Sequence, residues 1–290
     1  MKKILIIGEH SYIGNSFREY ISQWTQEYTV DVVSSRNGAW KDISFAEYDS
    51  ILHVAGIAHV DAKANMESLY YQVNRDLTIA CCRKAKEDGA GQFIFLSSII
   101  VYGESKTLAP VVITEETIPN PNGFYGRSKL EAEQGILPFG DDTFKVVAVR
   151  PPMVYGNGSK GNYRKLAKLA KTIPFFPNMK NQRSMIYIEH LCACIKKIID
   201  EQRNGIICPQ NQDYVETVDL VQTIGKCHGK NVHGVSLFNP FIRLFAKKIG
   251  FINKVFGTLI YDKDWTDSQM TGYCDYDFAE TIRRTEGEKI

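Results

Sequence analysis

The feature that most constrains this chain is its start. Lys3 to Ile7 is an aliphatic run with no polar face, and it leads directly into Gly8, with Gly14 six residues on. Behind that turn, Ile13, Phe17, Ile21 and Trp24 recur at spacings of three and four between Tyr12 and Glu27, the period of a helix. A strand that is apolar on both faces must be covered on both sides, which calls for a parallel sheet between two layers of helices. The alternation continues with strands over Thr29 to Val33, Ser50 to Ala55, Gln92 to Ser97 and Phe144 to Val149. Helices fall over Asn65 to Asp88, stopped by Gly89, and over Tyr125 to Leu137. The expected fold class is α/β, a doubly wound parallel sheet.

After Arg150 the pattern loosens. Pro151-Pro152, Gly156-Asn157-Gly158 and the prolines at 174 and 177 break it, and helical periodicity returns over Glu189 to Asp200 and Thr217 to Cys227. With 290 residues the chain can hold one large domain and a smaller lobe. The expected division is a nucleotide-binding domain over 1–150, rejoined by 184–208, and a smaller C-terminal substrate lobe from 151–183 and 209–290.

A formal net charge of +2 gives no reason to expect nucleic acid, so any phosphate must be met by a local site. The N-terminal apolar run is too short for a leader peptide, and no stretch reaches the roughly 18–20 apolar residues of a membrane helix. The seven cysteines form no Cys-x-x-Cys pair and read as small buried hydrophobes in a reducing compartment, so a cytoplasmic protein is expected. The six histidines, His10, His53 and His59 among them, show no metal-ligand spacing, and no metal is expected.

The segment Gly8-Glu9-His10-Ser11-Tyr12-Ile13-Gly14 stands where a strand hands over to a helix. A pyrophosphate bound there needs close backbone approach and helix N-terminal amides aimed at it. Glycines at the first and last positions meet that need; Ser11 occupies the middle position, where glycine is usual. The second strand ends Val33-Ser34-Ser35-Arg36, with no carboxylate to grip a ribose. A cation beside two hydroxyls suits a 2′-phosphate, so NADP(H) is favoured over NAD(H). Asp31 sits too early in the strand to reach the ribose, whereas Asp42 and Ile43 suit an adenine edge.

Moving a proton at an alcohol or carbonyl oxygen calls for an acid/base with a tuned pKa. Tyr125 and Lys129, four apart, share a helix face, and the following Leu130-Glu131-Ala132-Glu133 sustains a helix. Tyr102 and Lys106 have the same spacing but run into Gly103 and Pro110, so Tyr102 is a decoy or a substrate contact. Ser97-Ser98 closes the fourth strand, where either a catalytic hydroxyl or a turn hydrogen bond fits.

These segments together resemble the extended short-chain dehydrogenase/reductase superfamily, in its nucleotide-sugar epimerase and reductase branch. To Gly8–Gly14 and Tyr125–Lys129 are added His53-Val54-Ala55-Gly56, Val73-Asn74, Ser97 to Gly103, Arg150 to Gly156, and Arg183 to Leu191. The resemblance implies a Rossmann-like domain with Ser98 as catalytic hydroxyl, Tyr125 as acid/base and Lys129 as its pKa-lowering partner and ribose contact. It implies that Asn74 orders the site, and that Gly8, Ser11, Tyr12, Ile13, Gly14, Val54, Ala55, Gly56 and Pro152 join the cofactor contacts. Gly161-Asn162-Tyr163 and Arg183 would hold the nucleotide end of a substrate, Arg183 on its diphosphate, with Ser98 and Tyr102 nearer the sugar. The sequence departs from the family pattern at Ser11, at the missing acid after the second strand, and at Gly56, usually alanine.

Ile99-Ile100 follows Ser98, where the family's dehydratases carry a proton-transferring pair and its double epimerases a cysteine. What the resemblance leaves is hydride transfer at C4 of a UDP-hexose or UDP-N-acetylhexosamine. That would be the work of a UDP-glucose 4-epimerase-like enzyme or of a 4-keto-6-deoxy-sugar reductase. A homodimer is among the assemblies it allows. The alternative class is a non-catalytic NAD(P)-binding regulatory protein of the same fold. Finally, Leu237 to Leu259 mixes Phe238, Phe241, Leu244, Phe245, Ile249, Phe251, Ile252, Val255 and Phe256 with Arg243, Lys247, Lys248 and Lys254. The favoured reading is a helix pair packing the small lobe under lysine stems, ahead of a helix lying on an anionic bilayer.

Overall fold

The computed structural model describes residues 1–58, 64–103, 107–246 and 250–287. His59, Lys106, Lys247, Lys248 and Ile249 lie outside these residues, as does the side chain of Phe251. In chain order the first half forms β1 (Lys2–Ile7), α1 (Tyr12–Ile21), β2 (Tyr28–Val33), β3 (Ser50–His53), α2 (Glu67–Tyr70), α3 (Leu77–Asp88), β4 (Gln92–Leu96), β5 (Val111–Ile113), α4 (Phe124–Ile136) and β6 (Lys145–Val149). There follow β7 (Met153–Tyr155), α5 (Asn162–Ala170), β8 (Phe175–Pro177), β9 (Met185–Tyr187), α6 (Ile188–Asp200), β10 (Gly205–Ile207), α7 (Thr217–Cys227) and β11 (His233–Val235). The chain ends with α8 (Asn239–Phe245), α9 (Gly250–Phe256), β12 (Leu259–Tyr261), α10 (Lys263–Gln269) and α11 (Phe278–Glu286). Two compact units result: Met1–Gly103 with Pro119–Pro151 and Leu191–Pro209, and Glu104–Ile118 with Pro152–His190 and Gln210–Ile290.

The first unit is a six-stranded, all-parallel sheet in the order β2-β1-β3-β4-β6-β10. β2 lies on one side of β1 and all later strands on the other, so strand order reverses at β1 and β3, the place where such sheets bind ligands. Register carries this further. Ile7 pairs with Val33 and His53, His53 with Phe95, and Leu96 with Val149. Gly8, Ser34, Val54, Ser97 and Arg150 therefore all leave the sheet at one carboxyl rim.

The core explains why these segments are strands. Ile4–Ile7, Ile51, Leu52, Phe93–Leu96 and Val146–Val149 are all buried, each side chain contributing about 1.5–3 kcal/mol relative to exposure. Phe17 and Ile21 of α1, Cys81, Cys82 and Ala85 of α3, and Ala132 and Ile136 of α4 cover the faces. The α1 helix is shorter than its periodicity suggests. The Ser22 hydroxyl donates to the Glu19 carbonyl and the chain tightens into a 3₁₀ turn over Ser22–Trp24. The helical path before Gly89 is interrupted by a π-turn over Tyr71–Asp76, while Gly89 (φ 90°) caps α3 as expected.

In the second unit three short parallel ribbons, β5–β12, β7–β9 and β8–β11, are accompanied by α5, α7 and α11. Pairing of Val111 with Leu259 and Ile113 with Tyr261 takes β5 into this unit, although the sequence placed it in the first. Ser184 to His190 also belongs here, while Leu191–Pro209 joins the first unit and adds β10 to its sheet. The helix pair expected after Leu237 forms as α8 and α9; α9 packs, with Ile252, Val255 and Phe256 half-buried and the Phe256 ring against Phe176, whereas much of α8 does not. Leu237 (77%), Phe241 (62%) and Leu244 (69%) stay exposed, as do Phe238 and Phe245. No helix among the described residues is long and apolar enough to cross a membrane.

Candidate active site

The turn after β1 is built so that backbone meets backbone. Gly8 has φ 130°, and a Cβ there would stand 2.9 Å from the Ala55 amide nitrogen. A Cβ on Gly14 would stand 2.9 Å from Val54 Cγ2 and 3.1 Å from Ile6 Cγ2. Both glycines are thus required for α1 to start tight against the ends of β1 and β3, leaving a cradle of the kind that admits a pyrophosphate. Ser11 is the N-cap of α1, its hydroxyl accepting from the Gly14 amide at 3.3 Å, and no acid occupies the first turn. Tyr12 and Ile13 open the helix half-buried.

At the end of β2, Ser34 and Ser35 are half-buried and Arg36 is exposed, with the Arg36 amide donating to the Ser34 hydroxyl. Asp31 accepts from the Tyr48 hydroxyl at 2.9 Å, so the one carboxylate of this strand is engaged well before its end. Asp42 is exposed, and Ile43 packs against the core cluster that holds Trp40 and Phe45. These residues fit NAD(P), with hydroxyls and a cation where a ribose carboxylate would otherwise stand.

Three residues singled out from sequence come together on α4 and the end of β4. Ser98, extended at φ −169°, caps the 3₁₀ turn Ile99–Tyr102 and accepts from the Ile100 amide at 3.3 Å. Its hydroxyl stands near enough to the Tyr125 phenol to act on that phenol's pKa. Burial pushes that phenol up to about 12, with Ser98 drawing it down and the Tyr70 ring, 6.0 Å away, adding to the rise. Lys129 donates to the Leu96 carbonyl at 2.7 Å and lies 4.5 Å from the Phe95 ring centre. Burial lowers this ammonium to about 8, against the opposing pull of Glu133. In this structure burial dominates the pKa of both groups, and the Lys129 ammonium gives one of its three N–H donors to the Leu96 carbonyl.

Asn74 holds the loop after β3. Its Oδ1 accepts from the Ile57 amide at 2.8 Å, and its Nδ2 donates to the Ile57 carbonyl and to the Ser128 hydroxyl. A Cβ on Gly56 would meet Asn74 Oδ1 at 3.1 Å and Lys129 Nζ at 3.2 Å, so this glycine lets both polar groups close in. Val54 and Ala55 form the wall against which Gly8 and Gly14 pack. Beneath them sits a residue whose role sequence did not show. His53 is buried between the Phe93 and Phe95 rings and bonded through Nε2 to Thr78, whose hydroxyl donates to the Asn74 carbonyl. Because Thr78 gives its proton to Asn74, His53 carries its own on Nε2. Burial, with Lys129 nearby, pushes the imidazole down to about 3, so it is neutral.

Tyr102, read from sequence as a decoy or a substrate contact, is held by Arg150. Its hydroxyl accepts from Arg150 Nη1 at 2.6 Å, and its ring lies 5.0 Å from the guanidinium carbon. Arg150 in turn pairs with Glu133 at 2.5 Å, both buried. The three form a charged prop between the ends of β4 and β6 and helix α4. Sequence showed Glu133 only as a helix former and Gly126 only as part of the tyrosine segment, not the buried pairing of Glu133 or the close approach at Gly126.

In the second unit, Pro152 is buried directly before β7. Asn162 and Arg183 line an open cleft with Lys165, Lys254, Met185 and Leu220. Arg183 is fixed by backbone bonds to Val215 and by its Nη1 donating to the Gly257 carbonyl at 3.2 Å. Tyr163, expected beside Asn162 on the ligand, is instead buried with its hydroxyl on Glu286 and its ring stacked on Tyr155. Among the described residues no group of three or more His, Cys, Asp or Glu could hold a metal ion.

A six-stranded doubly wound sheet with a glycine turn at its switch point and a Tyr–Ser–Lys cluster on its carboxyl rim defines a dinucleotide-binding protein. Residues 4–210 match the NAD dependent epimerase/dehydratase family, and the chain belongs to it. It is similar to a UDP-glucose 4-epimerase of Vibrio cholerae, 31% identical over 231 residues that make up 76% of this chain and 70% of that one. It also resembles a GDP-6-deoxy-D-mannose reductase of Pseudomonas aeruginosa, 26% identical over 173 residues covering 56% and 55% of the two chains. Among solved structures, RMD from Pseudomonas aeruginosa complexed with NADPH shares the fold with a TM-score of 0.75, at 16% identity over 99% of both chains.

Proposed function

We propose that this chain is a sugar-nucleotide oxidoreductase that works with NADP(H) at C4 of a UDP-hexose or UDP-N-acetylhexosamine, as a 4-epimerase or a 4-keto-6-deoxy-sugar reductase. A bound nicotinamide supplies the gain or loss of hydride at the sugar carbon. Gly8, Ser11 and Gly14 would receive its pyrophosphate at the start of α1, and Ser34, Ser35 and Arg36 its adenosine end. The observation that carries the reading is the placement of the Tyr125 phenol beside the Ser98 hydroxyl at the carboxyl rim, with Lys129 one helical turn along α4.

The phenol gives or takes the proton at the C4 oxygen, and Ser98 holds that oxygen in line with it. Arg36 favours the phosphorylated cofactor, which leans toward the reductase. The Vibrio cholerae relative leans toward the epimerase. Asn162 and Arg183 in the cleft of the second unit are assigned to the nucleotide end of the substrate, with Arg183 on the diphosphate.

The test pairs two assays of purified protein. One follows interconversion of UDP-hexose C4 epimers without added cofactor, and the other follows NADPH and NADH oxidation with a UDP-4-keto-6-deoxy sugar. Tyr125→Phe should lower either activity at least about 100-fold while leaving NADPH affinity unchanged. Turnover that survives Tyr125→Phe and is lost in Tyr102→Phe would sink the assignment. Tight NADPH binding with no turnover of any sugar would make the protein a cofactor sensor.

A further inference from the structure

The apolar stripe of α8 points the wrong way for a helix that only packs its own lobe. Ile242 and Ala246, four apart, turn inward, Ala246 fully buried. Phe241, Leu244 and Phe245, spaced by three and four and so on one face, turn outward, and Leu237 and Phe238 in the preceding turn join them. Phe175 on β8, the strand paired with β11 just before α8, is 55% exposed as well. Large apolar side chains gathered this way mark a surface that something covers.

Charge identifies the cover. Between Asp142 and Glu189, and again between Asp219 and Asp262, the sequence has no acidic residue at all. These two acid-free stretches build β8, β11, α8 and α9, and they meet there. Asn239 at the start of α8 donates to the Asn178 carbonyl, and Asn253 of α9 donates to the Ala246 carbonyl. Arg243 on α8 and Lys180 in the acid-free stretch after β8 are both exposed. A second copy of the chain would set these cations against themselves, since a twofold contact pairs a patch with its own image.

We propose that the α8 face docks onto an anionic phospholipid bilayer, with Leu237, Phe238, Phe241, Leu244 and Phe245 in the interface and Arg243 and Lys180 on the headgroups. This inference stands apart from the reaction proposed above, because none of its five apolar residues lines the cleft or the carboxyl rim.

The full chain is to be floated with vesicles of phosphatidylglycerol and phosphatidylcholine, and with phosphatidylcholine alone. It should rise with the first and stay behind with the second, and salt should release it. Phe241→Ser with Leu244→Ser should weaken binding at least about tenfold, and Arg243→Glu by about fivefold or more. Both variants should keep wild-type NADPH binding, which shows that they fold. Three results would overturn the proposal: no flotation on anionic vesicles, flotation untouched by the double substitution, or a dimer in sedimentation velocity that the double substitution dissolves while no vesicle binds.

Discussion

Lys129 links the chemistry of the carboxyl rim to the stability of the fold. Its folded pKa, about 8, lies below the ordinary lysine value of 10.5, so between those values the unfolded chain binds more protons than the folded one. Folding stability from this group therefore rises as pH climbs from about 8 toward 10.5, by about 3 kcal/mol in full. Any activity that needs the ammonium falls over the same window. Denaturant midpoints across pH should show this rise in the wild type and lose it in Lys129→Met, while the rate should show an alkaline limb near 8. Glu133 adjusts both. Its carboxylate raises the Lys129 pKa and neutralises buried Arg150, so Glu133→Gln should cost about 3 kcal/mol and move the alkaline limb to lower pH. A limb that stays in place would mean that another group titrates there.

At the scale of elements, the approach of α4 to the turn after β4 sets the site. A Cβ on Gly126 would stand 2.9 Å from the Ile100 carbonyl oxygen and 2.7 Å from Pro121 Cβ. A backbone carbonyl cannot yield as a side-chain tip can, so Gly126→Ala should push α4 away from Ser98. The expected cost is about 1–3 kcal/mol in unfolding experiments, with kcat falling more than NADPH affinity. Gly123→Ala, with nothing within 4 Å, is the control and should be neutral. Strands β1, β3, β4 and β6 were legible in sequence from their buried apolar runs, and edge strand β2 from its β-branched residues. The Tyr125–Lys129 spacing was legible because helix geometry fixes it. The π-turn over Tyr71–Asp76 was not, since its shifted register depends on Asn74 reaching Ile57 and Thr78 reaching His53 across the fold. The ribbons of the second unit are three residues a strand, too short to show a period. For α8, periodicity shows which residues share a face but not whether anything in the chain covers it.

At the scale of the molecule, the residues assigned to the two ligands fall in different compact units. Gly8, Ser11, Gly14 and Arg36 belong to the first, Asn162 and Arg183 to the second. A ligand that binds only the folded state stabilises it by about 2.7 kcal/mol when present at 100 times its Kd. NADPH alone and UDP alone should therefore each raise the thermal midpoint. Arg183 is the cleft's fixed cation, its Nη1 held by the Gly257 carbonyl, so Arg183→Ala removes the charge that meets a diphosphate without disturbing the glycine turn. In a thermal-shift titration Arg183→Ala should lose most of the UDP response and keep the NADPH response. Gly8→Ala, which forces a Cβ against the Ala55 amide, should do the reverse. If Arg183→Ala instead removed the NADPH response, the division of cofactor and substrate between the two units would be wrong, whatever the reaction at Tyr125 turned out to be.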